Sequence, residues 1–287
     1  VVGRALRPVD AVAAAVGGLS ASHLAPVQIN GPVPAEVAPL VRSLDALVLR
    51  LGEALDNERR FTADAAHELR TPLAALKVQA QVARRAVDGG AREHALEQVL
   101  SGVDRMTHLV EQLLTLARLD PDAALPEGAR VDLVDLARSV CSALAPQALR
   151  REQSLSLDAQ GALLVLGNRW WLEVLLRNLV DNALRYTPEG GAVHVTVDVE
   201  GRRLKVSDDG PGIEPALRDK MLTRFARGSD EDAEGCGLGL SIVARIVRIL
   251  GARLHFEPGL VRQDGREGLA MVVDFPATGE VSGKHGG

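Results

Sequence analysis

Up to position 118 the apolar residues recur at helical intervals, and beyond position 130 they fall into short runs instead. Leu6, Val9, Ala13 and Val16 return at heptad spacing. After a break Leu40, Leu44, Leu47 and Leu51 do so again, in alternating steps of four and three. Such a seam predicts a helix with another helix lying against it. Between the two seams lies "GGLSASHLAPVQINGPVP", whose Gly, Ser and Pro predict a connector. Residues 57 to 118 read as a helical hairpin broken by Asp88-Gly89-Gly90. Its second helix carries the stripe Leu96, Val99, Val103, Met106, Val110, Leu113 and Leu116. A lone hairpin exposes too much apolar surface, so a dimer closing a four-helix bundle is predicted.

"LDPDAALPEGAR" then reads as a linker. From Val131 the runs "LLVL" (163–166), "AVHVTVDV" (192–199), "RLKVS" (203–207), "ARLHFE" (252–257) and "LAMVVDF" (269–275) predict strands. Helices are expected near 135–149, 169–186 and 238–250. Clustered helices and neighbouring strands predict an α+β sandwich with a mixed sheet, not alternating βαβ units. The expected division is 1–56 coiled-coil linker, 57–118 hairpin, 119–130 linker, 131–277 α+β domain and 278–287 disordered tail.

Composition narrows the function classes. The chain of 287 residues is 46% hydrophobic and 25% charged, with net charge −5, so nothing marks a nucleic-acid footprint. Its 2 cysteines, Cys141 and Cys236, stand far apart, which argues against a disulfide framework or a zinc site. No run of about 18 apolar residues exists, so no membrane span is expected within this chain. It begins "VVGRALRPVD", without Met, and is expected to be a piece of a longer protein.

Three clusters carry candidate chemistry. In "RNLVDNALRYTPEGG", Asn178 and Asn182 stand one helical turn apart and face the same way. Their amide oxygens are hard ligands suited to Mg2+ carrying phosphate oxygens. Arg185 could meet phosphate charge, and Tyr186 could line a base pocket. In "VSDDGPGI" an acidic residue leaves a strand into a turn with Gly210 and Gly212. An ionised carboxylate only accepts hydrogen bonds, which suits the exocyclic amine of adenine. Asp208 is favoured over Asp209 because it starts the DxGxG pattern. In "GCGLGLSIVARIV" Gly235, Gly237, Leu238 and Gly239 lead into an apolar helix, whose N-terminus with close-approaching amides suits phosphate. Neither a Rossmann fingerprint nor a Walker A motif is present.

The order "NLVDNALRYTP", "DDGPGI", "TRFARG", "GCGLGL" resembles the N, G1, F and G2 boxes of the sensor histidine kinase ATP-binding domain. That fold is shared with gyrase-type and Hsp90-type ATPases. "FTADAAHELRTPLAAL" (61–76) resembles the H box of the dimerising phosphoacceptor domain, and the first segment looks like a HAMP linker with Pro8 and Glu36. The resemblance implies ATP and Mg2+ as cofactors, a homodimer, and a response regulator receiver domain as partner. It implies autophosphorylation of His67, transfer to a regulator aspartate, and phosphatase activity. It places the chain on the cytoplasmic side of the inner membrane, anchored through a span this chain lacks. Glu68 would accept the imidazole N–H, Thr71 would orient the water that dephosphorylates the regulator, and Arg70 would lie near regulator or phosphate.

Pro72 is expected to bend the helix just past His67. Residues 214 to 234 would form an ATP lid with Phe225 as its anchor. His23, His94, His108, His194, His255 and His285 lack such a frame and read as surface or structural. A catalytically silent, nucleotide-binding dimeric scaffold remains the alternative reading.

Overall fold

A computed structural model describes residues 38–119, 130–223, 237–262 and 265–277. The expected first helix with Pro8, the connector, Glu36, most of the 119–130 linker, Phe225, Gly235, Cys236 and the tail lie outside the described residues. The chain divides into two compact units, Val1–Val78 and Gln79–Gly287.

In the first unit one helix dominates. Helix α1 spans Ala38–Arg85 and runs on without a break at position 56. Pro72 lies inside it and supplies no N–H to its ladder, yet the helix is not divided there.

The second unit takes in the end of α1 from Gln79 and then the hairpin turn. Asp88 caps α2 (Gly89–Arg118), its carboxylate accepting from Ala91 N at 2.8 Å. The expected stripe is packed within the chain only at its C-terminal end: Leu113 and Leu116 are buried, while Leu96 is 50% exposed and Val103 47%. The buried face of α2 is Ala95, Gly102, Leu109, Gln112, Leu113 and Leu116.

The α+β domain follows as β1 (Arg130–Asp132), α3 (Leu133–Arg150), β2 (Ser154–Ala159), β3 (Leu164–Leu166), α4 (Arg169–Tyr186), β4 (Ala192–Asp198) and β5 (Arg203–Asp208). A short turn of 3-10 helix precedes α5 (Arg218–Met221), then come α6 (Gly239–Ile249), β6 (Arg253–Val261) and β7 (Glu267–Asp274). Five strands form one mixed sheet in the order β2-β4-β5-β7-β6, with β2 and β4 parallel and the rest antiparallel. Strands β1 and β3 pair apart in a small antiparallel ribbon. Sequence patterning did not find β1 or β2. The first is three residues long, and the second, "SLSLDA", alternates without any Val or Ile.

Helices α3, α4 and α6 cover one face of the sheet. In β4, Val193, Val195 and Val197 point to the helices while His194 and Thr196 alternate outward. Leu172, Leu175, Leu176, Leu179, Val180 and Leu184 bury the inner side of α4 completely. Each such side chain contributes roughly 1.5–3 kcal/mol. This packing turns the polar side of α4, with its two asparagines, away from the core. On the open sheet face, Arg203, Lys205, His255, Glu257 and Asp274 form a cross-strand ionic cluster.

Candidate functional site

A cleft of about 430 Å3, its solvent-open mouth included, lies over the polar side of α4. Asn178, Asp181, Asn182, Arg185 and Tyr186 supply one wall from α4; Gly237, Leu238, Gly239 and Leu240 supply another; Met221 and Gln112 complete it. Seven of the residues expected from the sequence therefore meet here, and Asp181, Met221, Leu240 and Gln112 join them unannounced.

The orientation of Asn178 is set locally. Its Nδ2 donates to Val174 O one turn earlier, at 2.7 Å. With the nitrogen so engaged, Oδ1 faces the glycine loop, and a Cβ added to Gly239 would sit 3.1 Å from it. Asn182, one turn on, lines the same cleft. Arg185 pairs with Asp181 at 3.2 Å, and Asp181 also accepts from Gln147 at 3.0 Å. The guanidinium is thus held at the cleft wall by a carboxylate on its own helix.

The C-terminal end of α4 is fixed by side chains the sequence did not flag. Its orphan carbonyls need donors. Arg151 Nη1 donates to Leu184 O at 2.6 Å, and Gln153 Nε2 donates to Thr187 O at 2.6 Å. Both come from the segment entering β2. They pin the turn that carries Arg185 and Tyr186.

Helix α6 starts directly at the loop. Gly237 takes φ +65°, a conformation that favours glycine. No side chain caps the start of α6, so its first backbone N–H groups face the cleft free of a competing side-chain acceptor. That is the local requirement for an anion.

Asp208, Gly210 and Gly212 are not among the residues lining this cleft, although Gly210 lies against the backbone of Tyr186, which is. Gly210 approaches so closely that a Cβ there would lie 2.9 Å from Tyr186 O. Asp208 is 4% exposed, and its Oδ1 accepts from Gly210 N at 2.9 Å and Leu269 N at 3.3 Å. Burial pushes its carboxyl up from 3.8 to about 6, against the lowering effect of those two bonds. Asp209 has a different task, accepting from Ala192 N at 3.0 Å to tie the turn to β4. Gly268 on β7 packs against the backbone of Asp208, where any Cβ would overlap the Asp208 carbonyl.

This donor set fits a Mg2+ nucleotide. It offers two neutral amide oxygens one turn apart, an uncapped helix start, a cation at the wall and a buried acceptor for an amine. In the first unit His67, Arg70 and Thr71 are exposed and Glu68 is half-buried, with His67 and Thr71 four residues apart on α1. Gly235 lies outside the described residues. Gln112 is the residue sequence reading most clearly missed. It is polar within the apolar run of "LVEQLLTL" and lies off the expected stripe, and that interruption was the available signal.

Comparison with known proteins adds independent information. Residues 167–279 match the histidine kinase-, DNA gyrase B-, and HSP90-like ATPase family, which implies ATP binding. Residues 57–122 match the His Kinase A (phospho-acceptor) domain, and residues 6–53 the PhoQ-like sensor protein HAMP domain. The chain is 44% identical over 281 residues to the sensor protein kinase PmrB of Pseudomonas aeruginosa, covering 96% of this chain and 57% of that protein. It is 35% identical over 254 residues to the sensor protein BasS of Salmonella typhimurium, covering 86% of this chain and 68% of that one. Among solved structures it is similar to the Acinetobacter baumannii histidine kinase AdeS, with 25% identity, a TM-score of 0.55 and coverage of 74% of this chain and 98% of that one. The chain thus spans a little over half the length of the Pseudomonas relative.

Proposed function

Because the chain belongs to the sensor histidine kinases of two-component systems, we propose that it moves the γ-phosphoryl group of ATP to His67 and then to an aspartate of a response regulator. The observation that carries this reading is the cleft itself. One asparagine amide oxygen is fixed toward the glycine loop at an uncapped helix start, with a second asparagine one turn away.

In this reading Asn178 and Asn182 hold Mg2+, Arg185 meets phosphate charge, and Tyr186 lines the base pocket. Asp208 accepts the adenine amine, helped by the turn at Gly210 and Gly212. Gly235, Gly237, Leu238 and Gly239 bring backbone N–H groups to the phosphates. Mg2+, when bound, offsets the negative charge of the phosphate oxygens.

His67 uses the lone pair of one ring nitrogen to form the N–P bond. The bond from the γ-phosphorus to its bridging oxygen breaks, and that electron pair leaves with ADP. Glu68 takes the proton of the other ring nitrogen, which would otherwise be left on a charged ring. Thr71, on the same helix face four residues on, orients the water for regulator dephosphorylation, with Arg70 near the phosphate.

The chain acts as a homodimer, and the half-exposed Leu96 and Val103 are the apolar positions a second copy would cover. The HAMP match supports a membrane-anchored parent protein whose cytoplasmic portion this chain supplies. No helix among the described residues is long and apolar enough to cross a membrane.

Incubation with γ-labelled ATP and Mg2+, wild type beside His67→Gln, tests the reading. Acid-labile, base-stable label absent from the variant is the expected result. Acid-stable label would assign a different acceptor. No label with intact nucleotide binding would favour the silent scaffold.

A further inference from the structure

One side of the nucleotide cleft comes from the hairpin rather than from the α+β domain. Gln112 of α2 is 7% exposed, and its amide nitrogen lies 3.5 Å from Asn178 Oδ1. The same nitrogen lies 3.0 Å from His108 Nε2, one turn earlier on α2. An amide nitrogen only donates, so His108 Nε2 accepts, and the two N–H bonds of Gln112 serve His108 and Asn178. The glycine loop is at the same point: a Cβ on Gly239 would fall 3.8 Å from Gln112 Nε2. A second anchor holds the helix in place. Arg245 of α6 donates through Nε to Leu119 O at 2.8 Å, just past the end of α2, and Leu116 and Leu119 are buried there.

The polarity of this contact conflicts with the site's chemistry. Asn178 Oδ1 is the oxygen the proposed reading gives to Mg2+. Gln112 directs the positive end of an amide dipole at that oxygen, where a cation would be repelled. Because Asn178 Nδ2 is tied to Val174 O, the amide cannot turn its oxygen elsewhere without losing that bond.

Resting on the nucleotide-site reading above, we propose that His108, Gln112 and Asn178 form an autoinhibitory latch, in which docked α2 occupies the metal-binding amide and metal–nucleotide loading releases it. In the latched form the α+β domain is held against its own hairpin. In the loaded form Gln112 withdraws from Asn178, and the domain is free to leave the position fixed by Arg245 and Leu119. Loading of the cleft and mobility of the domain become one event.

The test uses the whole chain, a fluorescent ATP analogue and Mg2+, with binding rather than activity as the readout. Gln112→Leu retains apolar packing on α2 and removes the donor; Gln112→Ala removes both. Loss of one hydrogen bond competing at the site should tighten metal–nucleotide binding about fivefold in both variants. Spin labels on the exposed Glu111 and Arg248 provide a second readout. The wild type should give a narrow distance distribution that broadens with metal–nucleotide, and Gln112→Leu a broad one from the start.

Unchanged affinity in both variants, with nucleotide bound by the wild type, overturns the latch and leaves the nucleotide site standing. A distribution that stays narrow in the loaded wild type also overturns it. No binding in the wild type or either variant refutes the site and the latch together. Binding in the variants alone would be the strongest support for the latch.

Discussion

Replacing Asp208 with Asn separates the carboxylate's role in the site from its effect on the fold. The side chain is 4% exposed, and burial holds its carboxyl at about 6 instead of 3.8. The folded state therefore prefers the neutral acid. Between pH 3.8 and about 6 the folded chain binds a proton that the unfolded chain has released, so stability falls as pH rises through this window. The full displacement amounts to about 3 kcal/mol, accumulating at about 1.4 kcal/mol per pH unit. Asparagine carries no charge at any of these pH values, and its Oδ1 can still accept from Gly210 N and Leu269 N. Its new N–H2 adds an offset that does not depend on pH. The difference in unfolding free energy, variant minus wild type, should rise by about 2 kcal/mol from pH 4 to pH 6.5 and level off above. Urea unfolding followed by tryptophan fluorescence reads this domain selectively, because both tryptophans, Trp170 and Trp171, lie on α4. The variant should also lose adenine-nucleotide binding, since an acceptor has become a donor. Parallel stability curves for the two chains across this pH range would refute the reasoning. So would nucleotide affinity equal to that of the wild type.

Gly239→Ala should lower nucleotide affinity roughly tenfold or more with little change in stability, because the new methyl presses on Asn178 Oδ1 from 3.1 Å while Ala suits a helix start; titration with the fluorescent nucleotide beside urea unfolding checks both halves. Thr71→Ala should spare autophosphorylation and weaken regulator dephosphorylation, measured with labelled regulator, and equal loss of both would remove the assigned role. Leu179→Ala, at a fully buried position beneath the asparagine face, should destabilise the domain by about 2–5 kcal/mol in chemical unfolding. Cys141 is buried and its thiol is pushed up to about 11, so in a Cys236→Ser background it should resist a thiol reagent at pH 8 until denaturant is added.

What the sequence determined is what depends on neighbours a few positions away. Heptad steps announced the long helices, and the spacing of Asn178 and Asn182 put both amides on one helix face. Glycines before an apolar helix marked an uncapped N-terminus. The order of these motifs identified the family, because each is a local device whose meaning does not depend on the rest of the chain.

Tertiary structure decided what depends on residues far apart. That Asp208 is the desolvated carboxylate and Asp209 a tie to β4 follows from which of them is enclosed by β7. Arg151 and Gln153 matter only because the fold returns the start of β2 to the end of α4. Strand β2 joins the sheet by parallel pairing with β4, and its weak alternation gave little sign of that. Gln112 stands 66 positions before Asn178, and no local pattern links the two. Short-range periodicity fixes which face a side chain takes. Packing alone fixes what that face meets, because desolvation and hydrogen-bond partnership are properties of the assembled surroundings and not of the residue.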